Sequence, residues 1–266
     1  MQTFGYYDPT SVSKAVGIVL DKPEARYLAG GQSLLATMKL RLATPSDLVD
    51  LAQIPELQGI RVEANGTAIT IGAMTSHADV AASLEVGARL RALAEMAGSI
   101  GDRQVRNRGT LGGSIANNDP AADYPAAIVG LGATVNTSKR TIAADQFFTD
   151  MFETALAPGE LITSVTFPVP KKAAYQKFRN PASRFAIVGV FVALTAQGAR
   201  VAVTGARSRG VFRVKAMEEA LDREWSTAAL SSITYPPDDL QSDLHASAQY
   251  RAHLIHVLAR RAVTAA

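Results

Sequence analysis

The chain has 266 residues, 47% of them hydrophobic and 19% charged, with a formal net charge of +3. That length buries a full core with room for two or three subdomains, and the composition excludes wholesale disorder. The charge is too small and too scattered for a nucleic-acid binder. Zero cysteines exclude disulfides, thiolate catalysis, thiolate zinc sites and any iron–sulfur cluster held by this chain. Residues 1–9 carry neither the basic nor the apolar part of a signal peptide, and no run reaches the roughly 18 apolar residues of a membrane span, so a cytoplasmic protein is expected.

In chain order, Thr10 and Ser11 are caps for a helix that reaches about Leu20, with Val12, Ala15, Val16 and Val19 on one face. A short strand at 27–29 runs into Gly30-Gly31, a helix at 34–42 follows, and 47–51 is a second strand. These elements predict a small α/β subdomain over residues 1–55. Residues 59–73 predict a hairpin: Ile60 and Val62, then Ile69 and Ile71, alternate with other residues around an Asn65-Gly66 turn. Helices are predicted at 77–83, 84–97 and 121–131, and strands at 133–136 and 161–167. Pro168, Pro170, Lys171 and Lys172 mark a boundary that closes a second unit at 56–170. The remainder, 171–266, predicts strands at 186–196 and 200–206, a helix at 215–221 and a closing helix at 243–262. Strands followed by helices make it an α+β unit.

Two glycine stretches carry the chemistry. Residues 106–120 set Gly109, Gly112 and Gly113 among Thr110, Ser114, Asn117 and Asn118, behind Arg103, Arg106 and Arg108 and ahead of a helix. Glycines that expose backbone N–H groups beside a helix N-terminus form an anion cradle. Upstream, Ala29, Gly30, Gly31, Gln32 and Ser33 form a strand-to-helix turn, which alone is the weaker candidate. Two such turns point to a ligand with two phosphates. Neither matches Gly-x-Gly-x-x-Gly or Gly-x-x-x-x-Gly-Lys-Ser/Thr, which argues against Rossmann and P-loop sites. His77, His245, His253 and His256 offer no metal triad. Ser33 and Ser114 lack a nucleophile elbow, and Asp119 reads as a helix-capping carboxylate. At least two of the three arginines read as solvated.

The segment at 29–35, with Met38, Lys39, Leu40 and Arg41 behind it, resembles the first FAD pyrophosphate motif of the medium subunit of molybdenum hydroxylases, the group of carbon monoxide and xanthine dehydrogenases. Thr110, Leu111, Gly112, Gly113 and Ser114 resemble the second motif, with Ser114 where the family has Asn. Residues 118–125 continue the match in order, 174–178 and 185–190 are similar to the start of the family's C-terminal domain, and 243–251 and 259–262 to its closing helix.

The resemblance implies an α+β protein: an FAD-binding fold of p-cresol methylhydroxylase type, in two α/β subdomains, plus a C-terminal domain with a small three-stranded antiparallel sheet. It implies non-covalent FAD, with Leu28 to Leu34 and Thr110 to Ser114 wrapping the pyrophosphate and Asn117 beside them. Ile100 would pack on the isoalloxazine, Asp123 would hold a polar part of the cofactor, and Ile162 would line the flavin. Lys177 would sit near its N1/O2 edge and Tyr175 would shield a ring face, although the bare sequence reads Lys177 equally well as an exposed strand lysine. The implied function is an electron-transfer oxidoreductase subunit with no catalytic or metal-ligating residue of its own. A large molybdopterin chain and a small [2Fe-2S] chain would be its partners, in a dimer of heterotrimers, with the last electrons going to an external acceptor. A stand-alone FAD oxidoreductase and a non-catalytic nucleotide-binding module are the alternatives.

Overall fold

The structure, a computed structural model, describes residues 2–266. Ser11 starts the first helix as its side chain predicts, accepting from Lys14 N at 3.4 Å. That helix, α1 (Val12–Asp21), joins β1 (Gly5–Tyr7) to β2 (Arg26–Leu28), and α2 (Leu34–Lys39) joins β2 to β3 (Asp47–Asp50). The strands form a parallel sheet in the order β1-β3-β2. Ala15, Val49, Leu51, Ile54 and Leu57 close its small core. The second helix stops at Lys39 rather than 42, because Arg41 turns to φ 61°.

The hairpin at 59–73 forms as β4 (Ile60–Val62) and β5 (Ala68–Gly72). It belongs to an antiparallel sheet in the order β4-β5-β10-β6-β7, completed by β6 (Thr134–Thr137), β7 (Thr141–Ala143) and β10 (Ile162–Pro168). Between β5 and β6 run α3 (His77–Ala82), α4 (Leu84–Arg89), α5 (Arg91–Gly98), α6 (Arg103–Arg108), α7 (Leu111–Asn117) and α8 (Tyr124–Leu131). The expected helix at 84–97 is two helices. The chain leaves helical geometry at Leu90 (φ −131°, ψ 48°), which lets α4 and α5 follow different directions over the core. The α9 turn (Ala144–Phe147) and a ribbon of β8 (Phe148–Asp150) and β9 (Glu153–Thr154) precede β10.

All eight residues of α8 are buried, the mark of a helix covered on every side. It begins at Tyr124 rather than 121, because Asp119 holds Ala121 N at 2.8 Å in a turn of its own. One face of α8 meets the last sheet, where a Cβ on Gly130 would stand 2.7 Å from Phe191.

That sheet is β11 (Lys172–Arg179), β12 (Ala186–Thr195), β13 (Gly198–Thr204) and β14 (Phe212–Arg213), antiparallel in that order. It has four strands, not three, the last being too short for periodicity to reveal. Nine of the ten β12 residues are buried, since α8 lies on one face and α11 (Ala248–Ala265) on the other. The helix α10 (Lys215–Arg223) packs on β13. The closing helix starts at Ala248 rather than 243. Ser247 caps it, while Asp243 accepts from His245 N at 2.9 Å and from Ala246 N at 3.0 Å and takes Arg251 at 2.8 Å. A short carboxylate that finds local amides favours a turn over a helix.

Candidate functional site

Segments from all three units enclose a cavity of ≈ 580 Å³. Its walls come from the β2–α2 turn, the corner after β5, the α6–α7 region, the loop before β10 and the tip of the β11–β12 hairpin.

The β2–α2 turn is held by glycine. Gly31 adopts φ +73°, and a Cβ on Gly30 would lie 1.9 Å from the Arg108 carbonyl oxygen. The two glycine stretches, far apart in sequence, therefore touch. Among the described residues none accepts a hydrogen bond from the amides of Gly30, Gly31, Gln32 or Ser33. Four consecutive unspent N–H groups on a cavity wall are the kind of donor set an anion site needs.

The stretch at 106–120 is built differently from expectation. It is not a glycine turn but two helices, α6 and α7, with Gly112 and Gly113 inside the second. Thr110 caps α7, its hydroxyl accepting from Gly113 N at 3.1 Å. Leu111 N donates to Thr75 O at 3.0 Å, Gly112 N to Ala73 O at 2.8 Å, and Ser114 N to Thr110 O at 3.0 Å. All four leading amides are thus consumed by the fold. Gly112 is required for close approach instead, since its Cβ would meet Ala73 at 2.6 Å. Polar groups reach the cavity from this side as side chains, Ser114 and Asn117 among them. Arg103 and Arg108 are exposed as expected, whereas Arg106 donates to the carbonyls of Ile100 and Gly101 at 2.9 and 3.2 Å.

Of the other expected residues, Ala29, Leu34, Ile100, Asp123 and Ile162 also line the cavity. Leu28, Leu111, Tyr175 and Lys177 do not. Tyr175 and Lys177 stand behind Asp123, which accepts from the Tyr175 hydroxyl at 2.5 Å and from Lys177 Nζ at 3.0 Å. Lys177 also donates to Ser99 O at 3.3 Å, and its side chain is only 7% exposed, which overturns the exposed-lysine alternative. Burial pushes the Asp123 carboxyl upward, and Lys177 and Tyr175 oppose it. The Tyr175 hydroxyl is pushed up by burial and by Asp123.

Three wall residues had no sequence signal. Glu160, sealed from solvent, accepts from Thr137 Oγ1 at 2.6 Å, Ala157 N at 2.8 Å and Arg140 Nε at 3.1 Å. Burial would raise its carboxyl, but Arg140 and the other two donors outweigh that and hold it at about 2. This knot anchors the loop that carries Leu161 and Ile162. Arg184, at φ 63°, donates to Gly101 O at 3.1 Å and ties the β11–β12 hairpin tip across the cavity. His77 lies on the wall with its side chain buried, and desolvation, then Arg106, lowers it to about 4.

A family model described as the FAD binding domain in molybdopterin dehydrogenase matches residues 2–170. The chain is 36% identical over 281 residues to the carbon monoxide dehydrogenase medium chain of Afipia carboxidovorans, covering 98% of this chain and 96% of that one. It is 34% identical to the nicotine 6-hydroxylase medium subunit of Paenarthrobacter nicotinovorans, again over 98% and 96% of the two. A solved carbon monoxide dehydrogenase from Hydrogenophaga pseudoflava superposes with a TM-score of 0.88 at 36% identity, over 100% of this chain and 97% of that one.

Proposed function

This chain belongs to the FAD-binding medium subunits of the molybdenum hydroxylases, and on that premise we propose that FAD occupies the ≈ 580 Å³ cavity and relays electrons from [2Fe-2S] clusters on a partner chain to an external acceptor. The observation that carries the reading is the β2–α2 turn. Its four unspent amides and the helix behind it suit the diphosphate of FAD, which needs donors more than it needs full charges.

The residues divide the work. Gly30, Gly31, Gln32 and Ser33 would hold the diphosphate through backbone N–H groups, with Ala29 beside them and Leu28 and Leu34 fixing the ends of the turn. Thr110, Ser114 and Asn117 would supply side-chain donors from the adjoining α7 wall, where Leu111, Gly112 and Gly113 set the spacing. Ile100 and Ile162 give the ring system apolar surface. Lys177 would influence bound flavin through Asp123, with which it is paired and which Tyr175 steadies, rather than as a free cation. Bound FAD supplies the redox chemistry, accepting electrons and releasing them again. The chain itself binds, orients and shields that group.

The medium-chain relatives support the partner assignment. With no cysteine the chain holds no iron–sulfur cluster by thiolates, and on this reading electrons arrive across an interface from a small [2Fe-2S] chain. A large molybdopterin chain carries the substrate site. Purified chain titrated with FAD should bind one equivalent with a perturbed flavin absorption band. A chain that is folded by circular dichroism but gives no spectral change with excess FAD would sink the reading.

A further inference from the structure

His77 breaks the ordinary rules of burial. It opens α3, is only 5% exposed, and no described residue hydrogen-bonds either ring nitrogen. Its Nδ1 is sealed from solvent and unpartnered. The Tyr124 ring lies 5.3 Å away, fully buried, and its hydroxyl also lacks a partner. A buried polar group left without a partner destabilises the fold.

The surroundings are shaped around this ring. A Cβ on Gly109 would stand 2.6 Å from His77 Nε2. Gly109 itself is extended at φ −61° and ψ 140°, a conformation open to any residue. Glycine is therefore needed there for the imidazole and not for the turn. His77 also lies on the cavity wall next to Gly109 and Thr110, where the leading backbone amides of α7 are spent.

We propose that His77 is a further contact for the FAD diphosphate: its imidazole donates from Nε2–H to a phosphate oxygen. The ring lies on the cavity wall without a hydrogen-bond partner in the fold, and the phosphate supplies one. Burial and Arg106 keep the ring uncharged down to about 4, so the contact is a hydrogen bond and not an ion pair at neutral pH. The proposal rests on FAD occupying this cavity.

The test uses the isolated chain stripped of FAD and titrated by flavin fluorescence, with 31P spectra of the bound cofactor. His77→Phe keeps ring volume and removes both unmet nitrogens. It should bind FAD at least about tenfold more weakly, shift one diphosphate resonance, and melt no lower than wild type without FAD. His77→Gln, which restores an N–H, should recover most of the affinity. Wild-type affinity and an unmoved 31P spectrum in His77→Phe would overturn the proposal. Should that variant not fold, 15N-labelled histidine in the wild type decides: FAD must move the His77 Nε2–H resonance, and indifference to FAD overturns it. A wild-type chain that takes up no FAD would overturn the cavity assignment instead.

Discussion

At the scale of single residues, the site depends on atoms that are missing. Gly30 has no side chain because the Arg108 carbonyl occupies its place, 1.9 Å from where a Cβ would be. Gly30→Ala must therefore push the β2–α2 turn away from α6 and widen the cavity at its donor-rich wall. FAD should fall off during gel filtration while the fold survives, and retention of one FAD per chain in that variant would show that the contact is not critical. His77 gives a second residue-level test, on the chain without FAD. A histidine lowered from 6.5 to about 4 binds its proton more readily unfolded than folded. It therefore imposes no protonation penalty above pH 6.5 and destabilises the fold as pH falls from 6.5 to 4, by about 3 kcal/mol in all. Urea unfolding across that window should show a slope in the wild type that His77→Gln lacks. Parallel curves would mean that His77 titrates normally. Glu160 runs the other way: held at about 2, its contribution is present above pH 4.5 and lost only as pH falls from 4.5 to 2.

At the scale of elements, caps and covered faces decide what could be foreseen. Thr110→Val removes the hydroxyl that caps α7 through Gly113 N. It should cost about 1 kcal/mol and loosen FAD through the Ser114 and Asn117 side chains that α7 carries. Unchanged melting temperature and FAD affinity would show the cap to be idle. The same segment marks the limit of sequence reasoning. Its glycines and hydroxyls pointed to a stretch that lines the cavity, but a Gly-Gly pair looks alike in a turn and in a helix pressed against another backbone. Only the contact with Ala73 tells them apart. Where the signal is local it was legible: Ser11 as a cap, Asn65-Gly66 as a turn, the apolar run of β12. Where the cause is tertiary it was not. The break at Leu90 and the pairing of Asp243 with Arg251 both answer to neighbours that chain order conceals. Lys177 is the sharpest case, because a lysine on a strand reads as exposed until Asp123 is found 54 residues away.

At the scale of the whole molecule, the buried pair of Asp123 and Lys177 joins the C-terminal sheet to the cavity wall formed at the start of α8. Lys177→Met would strand a buried carboxylate, at a cost of about 3–5 kcal/mol, and Asp123→Asn in the same chain should return part of it. A double variant no more stable than Lys177→Met alone would deny the coupling.

The wider consequence concerns where electrons enter. Among the described residues no group of three His, Cys, Asp or Glu side chains could hold a metal ion, and the chain has no cysteine. On the proposed function, reducing equivalents would reach its flavin through a partner's clusters. Removing iron from the assembled complex with a chelator under mild conditions separates the two halves of that statement. FAD should stay on this chain, because every group proposed to hold it belongs to this chain. A substrate that bleaches the flavin of the intact complex should then leave it oxidised, while dithionite still bleaches it directly. Flavin reduction by substrate in the iron-free complex, or in this chain alone, would mean that the chain receives electrons without the clusters and acts as an oxidoreductase in its own right.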